Sequence, residues 1–192
     1  SRVGPDGADA FGLRYTTSGL YRAASYHPLD EAGVDAIMEF PLPKAEEVIA
    51  AEPILARIGQ IRALGDEYAI VGRAVASYGL FEMAQSLRRH DQLLMDLALD
   101  PEIVHALVGR LAACYGAMYD RLLDIAGPAL DLIELPGDDF AGNNGPIISP
   151  AMFDTYFKQP YTQLIGRIKA RAPHVKVIYH SDGAIAPFLA RF

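Results

Sequence analysis

Residues 130–139 read Leu-Asp-Leu-Ile-Glu-Leu-Pro-Gly-Asp-Asp, an apolar run that opens into a loop with two adjacent carboxylates. A short apolar run bounded by glycine and proline is typical of a buried strand, which we place at residues 130–136. Similar runs predict strands at residues 68–72 and 175–180. Because helical patterns separate the three runs, the sequence predicts an α/β fold with a parallel sheet and helical crossovers.

Apolar residues at steps of three or four mark the helices between these strands. The predicted helices lie at residues 54–64, 80–87, about 101–125, from 150 onward, around 160–168, and at 184–191. Asp100-Pro101-Glu102 is a strong helix start, because Asp can cap, proline fits the first helical position and Glu suits the positive end of the dipole. Ser149-Pro150 predicts a helix start for the same reasons.

The first 53 residues have a different pattern. Residues 10–26 predict a hairpin around the turn signal Ser18-Gly19. Residues 27–53 are rich in proline and acid, and the best short helix among them is at residues 31–40. We therefore predict a single domain, with residues 1–53 as a hairpin and proline-rich insertion and residues 54–192 as βα units.

The composition limits the class of protein. The chain has 192 residues, a hydrophobic fraction of 51% and a net charge of −7, which favour a folded core and argue against non-specific nucleic-acid binding. The one cysteine, Cys114, excludes an internal disulfide and a cysteine-rich zinc site within these residues. No apolar run approaches the ~20 residues that span a bilayer, and the amino end has no apolar signal core, so we expect a cytoplasmic protein without membrane contact.

Ligands of parallel α/β folds meet the loops at the carboxyl ends of the strands. That rule selects Arg73 after the first predicted strand, residues 137–145 after the second, and residues 180–183 after the third. Neighbours at a strand end point to opposite faces, so at most one of Asp138 and Asp139 should enter a pocket. That carboxylate would act as an acid or base, anchor a pyrrole N–H or bind a cation, whereas the other would cap or hold the loop.

His180 and Asp182 suit two ligands of one metal or an acid–base pair. The alternative is a histidine satisfied by the backbone beside a turn. Arg73 has the fork geometry that binds a carboxylate or phosphate, and its alternative is a surface ion pair. Structural positions are predicted for Cys114 and for the other histidines, which are His27, His90, His105 and His174.

Several stretches together resemble the uroporphyrinogen decarboxylase superfamily. They are Phe40-Pro-Leu-Pro, residues 93–102, residues 137–153 from Gly-Asp-Asp-Phe to Ala-Met-Phe, Pro160-Tyr161, and residues 175–183, Val-Lys-Val-Ile-Tyr-His-Ser-Asp-Gly. The resemblance implies a (β/α)8 TIM barrel, of which these residues would be an incomplete middle portion near the third to fifth strands. Because three strands do not close a barrel, we expect the barrel to be truncated at both ends of this sequence.

The superfamily contains cofactor-free decarboxylases and zinc-dependent methyltransferases that work on corrinoid proteins. The decarboxylases have a serine where this chain has Asp139, and their tyrosine after the third strand has only an offset counterpart, Tyr78. The methyltransferases carry His-x-Cys-Gly after the fifth strand, so His180 matches while Asp182 replaces the cysteine. Zinc accepts an Asp oxygen but then lacks the soft thiolate that helps to activate a thiol substrate.

From this resemblance we predict a decarboxylase-like lyase that needs no cofactor and removes carboxylate groups from a small anionic molecule such as a tetrapyrrole. Asp138 or Asp139 would stabilise a cationic ring. His180 or Asp182 would help to deliver the proton. The predicted substrate contacts are Arg73, Tyr78, Phe140 and Asn143.

Two other functions stay open. A zinc-dependent methyltransferase acting with a corrinoid protein would use His180 and Asp182 as ligands, with a third ligand beyond these residues. A non-catalytic binding barrel would keep the fold and the pocket. A homodimer is compatible with all three interpretations.

Overall fold

A computed structural model describes residues 7–73 and 75–192, without the side chains of Ser18, Tyr21 and Arg22. The strands are β1 (Arg14–Ser18), β2 (Tyr21–Tyr26), β3 (Val71–Gly72), β4 (Leu132–Leu135), β5 (Ala141–Gly142), β6 (Gly145–Pro146) and β7 (Lys176–Tyr179). The helices are α1 (Val34–Glu39), α2 (Ala45–Val48), α3 (Ala51–Arg62), α4 (Leu80–Arg88), α5 (His90–Leu99), α6 (Pro101–Ala126), α7 (Pro150–Tyr156) and α8 (Lys158–Arg171). Short 3-10 helices cover Gly127–Ala129 and Ala186–Arg191.

The central sheet is parallel, with the strand order β3-β4-β7. Val71 pairs with Leu132, and Leu135 pairs with Tyr179, so the carboxyl ends of the three strands meet at one edge. This confirms the predicted parallel sheet with helical crossovers. The strands are shorter than predicted, above all β3, whose ladder contains only two residues.

Helix α6 is the long amphipathic helix that the apolar spacing predicts. Its buried face packs against α8 and against several of the other helices. Asp100 precedes it as predicted, but its side chain makes no capping hydrogen bond in the described structure. Asp100 also ends α5, where its backbone N–H donates to the Asp96 carbonyl at 2.8 Å. Ser149 does cap α7, because its hydroxyl accepts from the Met152 N–H at 3.1 Å.

Two helical boundaries differ from the predicted ones for local reasons. Helix α8 begins at Lys158 and includes Pro160, which is tolerated because the first helical turn needs no N–H donor. Helix α5 was not predicted, since its apolar residues continue the pattern of α4. The break between the two helices lies at Arg89, whose φ of 72° is left-handed.

The residues before α3 pack on the outside of α4 and α6. The predicted hairpin is confirmed by the antiparallel pairing of β1 with β2. Three arginines hold the following segment, residues 27–50, by donating to its backbone carbonyls. The contacts are Arg88 to Leu29 at 2.8 Å, Arg110 to Phe40 at 2.7 Å and Arg121 to Ile49 at 2.7 Å. A guanidinium group satisfies carbonyl oxygens that would otherwise be left without a donor.

Phe140 lies at the centre of an aromatic cluster behind the strand ends. The rings around it are Phe81 at 5.3 Å, Phe153 at 5.0 Å, Phe157 at 5.4 Å and Phe188 at 5.8 Å between centroids. Its side chain is 0% exposed. Phe140 thus packs in the core, enclosed by other rings, and does not line the cavity of about 1000 Å³ at the strand ends, whereas its substrate contact stays a prediction.

Replacing this central ring should destabilise the protein strongly. We expect Phe140→Ala to lower the free energy of unfolding by about 3–5 kcal/mol, since it removes buried surface and leaves a cavity. Tyr68, 48% exposed, is the control. Its change to Ala should cost less than about 1 kcal/mol. Urea denaturation followed by circular dichroism measures both values, and equal losses would contradict the packing role.

Candidate active site at the carboxyl ends of the parallel strands

A cavity of about 1000 Å³ opens at the carboxyl ends of β3 and β4. Its walls include residues 75–78 after β3, residues 134–137 at the end of β4, and His180 after β7. The opposite wall comes from the amino-terminal part, with residues 9–11 and 46–50. The strand ends thus converge on one cavity, as the parallel register requires.

Asp138 is completely buried and binds the amino end of α4. Its two carboxylate oxygens accept the backbone N–H groups of Phe81 at 2.9 Å and Glu82 at 2.8 Å. The Tyr161 hydroxyl of α8 also donates to it, while accepting the Leu80 N–H at 3.0 Å. Asp138 therefore caps a helix from a distant loop, satisfying donors that the first turn leaves free.

Burial raises the pKa of Asp138 to about 6. The hydrogen bonds from the Glu82 N–H, the Tyr161 hydroxyl and the Phe81 N–H oppose this shift, since they favour the ionised carboxylate. A residue larger than glycine would not fit at position 79, because its β-carbon would lie 2.4 Å from the Asp138 Cγ. Asp138 is not among the described residues that line the cavity. Of its two predicted roles, pocket carboxylate or structural cap, this geometry favours the structural cap.

Asp139, His180 and Asp182 come together beside the cavity. Their nearest ligand atoms, one from each residue, lie within 4.8 Å of one another. Asp139 Oδ1 accepts the Asp182 N–H at 2.7 Å, and His180 Nε2 lies 3.7 Å from Asp182 Oδ1. We call these three residues the rim triad. His180 also lines the cavity wall, so the rim triad adjoins the cavity through this one residue.

The loop that carries Asp182 is fixed against the small β5–β6 ribbon. Gly183 has a φ of 79°, and a β-carbon there would lie 2.1 Å from the Ala141 carbonyl oxygen. The next residue, Ala184, donates its N–H to Gly142 at 3.0 Å. Because only glycine fits this contact, the loop after β7 is held next to the loop that follows Asp139.

Comparison with known families identifies the fold. The family described as uroporphyrinogen decarboxylase (URO-D) matches residues 23–192. The chain belongs to the uroporphyrinogen decarboxylase family. Its three parallel strands and crossover helices are accordingly part of a TIM barrel, as the resemblance of the sequence implied.

One solved structure with this fold is a methyltransferase from Methanosarcina mazei. It is 19% identical with a TM-score of 0.60, and the similarity covers 95% of this chain and 50% of that chain. The chain thus spans about half the length of that methyltransferase. Comparison with curated proteins gives no match. Among the described helices, none combines the length and the apolar character that crossing a bilayer requires.

The other predicted site residues of this family member have different surroundings. Arg73 lines the cavity, but its side chain is 86% exposed and lies 3.4 Å from Glu134. Tyr78 also lines it, and its carbonyl accepts the Tyr115 hydroxyl at 2.8 Å. Asn143 is exposed at the turn between β5 and β6, outside the cavity lining. Arg73 therefore lines the cavity and also forms an ion pair, so the two predicted alternatives occur together.

None of the five acids that line the cavity was predicted as a site residue, and two of them, Glu82 and Glu134, lie next to the strand ends. Glu134 interrupts the apolar run of β4, and a charged residue within a buried strand was the available signal. Glu82 gave no such signal, because one acid in the first turn of a helix is common. Burial and, to a smaller extent, the charges of Asp138, Asp139 and Asp182 together raise the pKa of Glu82 to about 7.

Removing the Asp138 carboxylate should destabilise the fold rather than simply alter the surface of the cavity. We expect Asp138→Ala to lower the free energy of unfolding by about 3 kcal/mol or more, since buried N–H and hydroxyl donors lose their acceptor. Asp139→Ala is the matched control at the adjacent position and should cost about 1 kcal/mol or less. Denaturant titrations of both variants test this, and a stable Asp138→Ala protein would refute the capping role.

Proposed function

We propose that this chain carries the metal-assisted half of a methyl-transfer site, in which the rim triad binds one divalent ion such as zinc. The observation that carries the proposal is the convergence of Asp139, His180 and Asp182 at adjacent strand ends. One imidazole nitrogen and two carboxylate oxygens form a donor set that zinc accepts. Atoms that share one tetrahedral zinc ion lie about 3.4 Å apart, so ligand atoms that are within 4.8 Å of one another would move by about 1 Å to bind it.

Each residue of the rim triad would have a defined task. His180 would supply a nitrogen, and Asp139 and Asp182 would supply one carboxylate oxygen each. The hydrogen bond from the Asp182 N–H to Asp139 would orient the Asp139 carboxylate, as outer contacts do in metal sites. When bound, zinc would lower the pKa of a coordinated thiol and so favour its nucleophilic form.

The charge of the cavity supports a cation more than a polycarboxylate substrate. Five of its lining residues are acids, namely Asp9, Glu46, Glu47, Glu82 and Glu134. The arginine on the same wall, Arg73, already faces Glu134. Clefts lined by one sign of charge concentrate ions of the opposite sign, so these walls would attract a metal ion and repel an anionic tetrapyrrole.

The similarity to a methyltransferase of known structure adds support to this proposal. Asp182 stands where the methyltransferase pattern His-x-Cys-Gly has its cysteine. Asp139 would compensate in part, because it offers a third ligand without a residue from elsewhere in the barrel. An all-oxygen-and-nitrogen set would hold the metal as a harder centre than a thiolate set does.

A metal-free decarboxylase is the second candidate, and two cavity residues favour it. Arg73 has the fork geometry for a substrate carboxylate, and Glu82 has a pKa near 7 that suits proton delivery. Asp138 would not stabilise a cationic ring in this scheme, because its oxygens already bind the α4 backbone. That task would pass to Glu134.

Zinc binding tests the proposal directly. We expect the purified protein to bind one Zn²⁺ per chain by isothermal titration calorimetry. His180→Ala and Asp182→Ala should each weaken binding by at least about 100-fold, because even outer-shell changes cost 10- to 100-fold. His174→Ala, an exposed histidine outside the cavity, is the matched control and should leave the affinity unchanged. Equal zinc affinity in all variants would overturn the proposed site.

Turnover then separates the candidate functions. Zinc-dependent transfer of a methyl group from methylcobalamin to a small thiol would support the proposal. Metal-free decarboxylation of a tetrapyrrole would instead establish the second candidate. Ligand binding without turnover of either kind would indicate a binding barrel.

A further inference from the structure

The hydroxyl of Tyr161, in α8, completes the first turn of α4. It accepts the Leu80 N–H at 3.0 Å and donates to the Asp138 carboxylate. The side chain is only 4% exposed, and it is not among the described residues that line the cavity. The stretch Pro160-Tyr161, which supports the family resemblance, therefore has no task in the proposed metal site itself.

The ring of Tyr161 contacts a second strand end. It meets the Tyr179 ring edge to face, with 5.3 Å between centroids and 76° between planes. Tyr179 is the last residue of β7 and directly precedes His180. One buried side chain thus contacts the loop after β4 through its hydroxyl and the end of β7 through its ring. These are the two places that carry the rim triad.

The two neighbours of Asp138 connect it with the rim triad. Before it, Gly137 packs against His180, since a β-carbon at position 137 would lie 2.8 Å from the His180 Cδ2. After it, Asp139 is itself a member of the triad and accepts the Asp182 N–H at 2.7 Å. A rotation of Asp138 would move both neighbours, and so change the separation between the Asp139 carboxylate and the His180 imidazole.

The hydroxyl of Tyr161 restricts that rotation. The Asp138 Oδ1 accepts the Glu82 N–H, whereas Oδ2 accepts both the Phe81 N–H and the Tyr161 hydroxyl. Without the hydroxyl, the Leu80 N–H would lose its acceptor and Oδ2 would lose one donor. An unsatisfied buried donor is costly, so the carboxylate and the first turn of α4 would readjust.

We propose that Tyr161 is a positioning residue for the rim triad. Its hydroxyl fixes Asp138, and residues 137–139 then set the distance between the Asp139 carboxylate and the His180 imidazole. Tyr161 would not contact the metal ion, and it acts as an outer contact of the kind that orients metal ligands. This inference rests on the proposed metal-assisted function and adds to it a residue from α8.

Tyr161→Phe tests this role, because it removes the hydroxyl and keeps the ring on Tyr179. Zinc affinity, measured by isothermal titration calorimetry, should fall by about 10- to 100-fold, the usual effect of losing an outer contact. The d–d absorption bands of the Co²⁺-loaded protein should shift, since they report the geometry of the ligands. In the metal-free protein, the NMR signal of the His180 Hδ2 should shift as well, because this side of the ring faces Gly137.

Tyr156→Phe is the matched control. It also removes a buried hydroxyl, one that donates to the Leu97 carbonyl at 3.0 Å. Its melting temperature should fall about as much as that of Tyr161→Phe, while the zinc affinity, the cobalt bands and the His180 signal should stay as in the wild type. Gly137→Ala pushes on His180 directly, and it should shift the cobalt bands even if Tyr161→Phe folds poorly.

Each result decides one point. A folded Tyr161→Phe protein with wild-type zinc affinity, cobalt bands and His180 signal would overturn the positioning role and leave the metal site in place. Equal losses in Tyr161→Phe and Tyr156→Phe would overturn it too, because general loosening would then explain both. Wild-type cobalt bands in Gly137→Ala would contradict the link through residue 137. If the wild type binds neither zinc nor cobalt, the proposed function fails, and the His180 signal alone then shows whether Tyr161 orients the imidazole.

Discussion

The buried carboxylate of Asp138 is the contact on which the arrangement of the cavity depends. It joins the end of β4 to the first turn of α4 through two backbone N–H groups and to α8 through the Tyr161 hydroxyl. An unsatisfied buried donor costs about 1–3 kcal/mol, so these groups strongly favour one relative position of the three elements. The chain places Glu82 and Asp139 on either side of this contact. Their positions near the cavity follow from it, although Asp138 itself does not line the cavity.

The cavity is predominantly acidic. The acids of its walls come from the sheet, from α4 and from the amino-terminal segment, and within the described residues Arg73 is the arginine or lysine that lines it. Such a space binds cations readily and raises the pKa of any carboxyl that is also shielded from water. The like charges contribute to both effects, although burial is the larger cause of the raised pKa of Glu82.

The sequence predicted the three strands and most helices because each has a local signature, either a short apolar run or a periodic stripe with a clear start. It also predicted that Asp138 and Asp139 would have different tasks, since neighbours at a strand end diverge. Which of the two is buried depends on α4 and α8, and no local pattern contains that information. Glu82 was missed for a similar reason, because its importance comes from acids more than fifty residues away. Phe140 was predicted from the family resemblance as a substrate contact, whereas its burial depends on four rings from other parts of the chain.

The amino-terminal segment is held by arginine contacts to its main chain, through the carbonyls of Leu29, Phe40 and Ile49. A guanidinium that binds backbone carbonyl oxygens makes a contact that does not involve the side chains of those residues. This wall is therefore anchored by its main chain and by the buried side chains of Leu29, Ile37 and Ile49, so an exposed residue such as Glu46 can be exchanged without loosening it. Changes at exposed positions of this stretch can thus alter one side of the cavity while the buried residues that hold it stay in place.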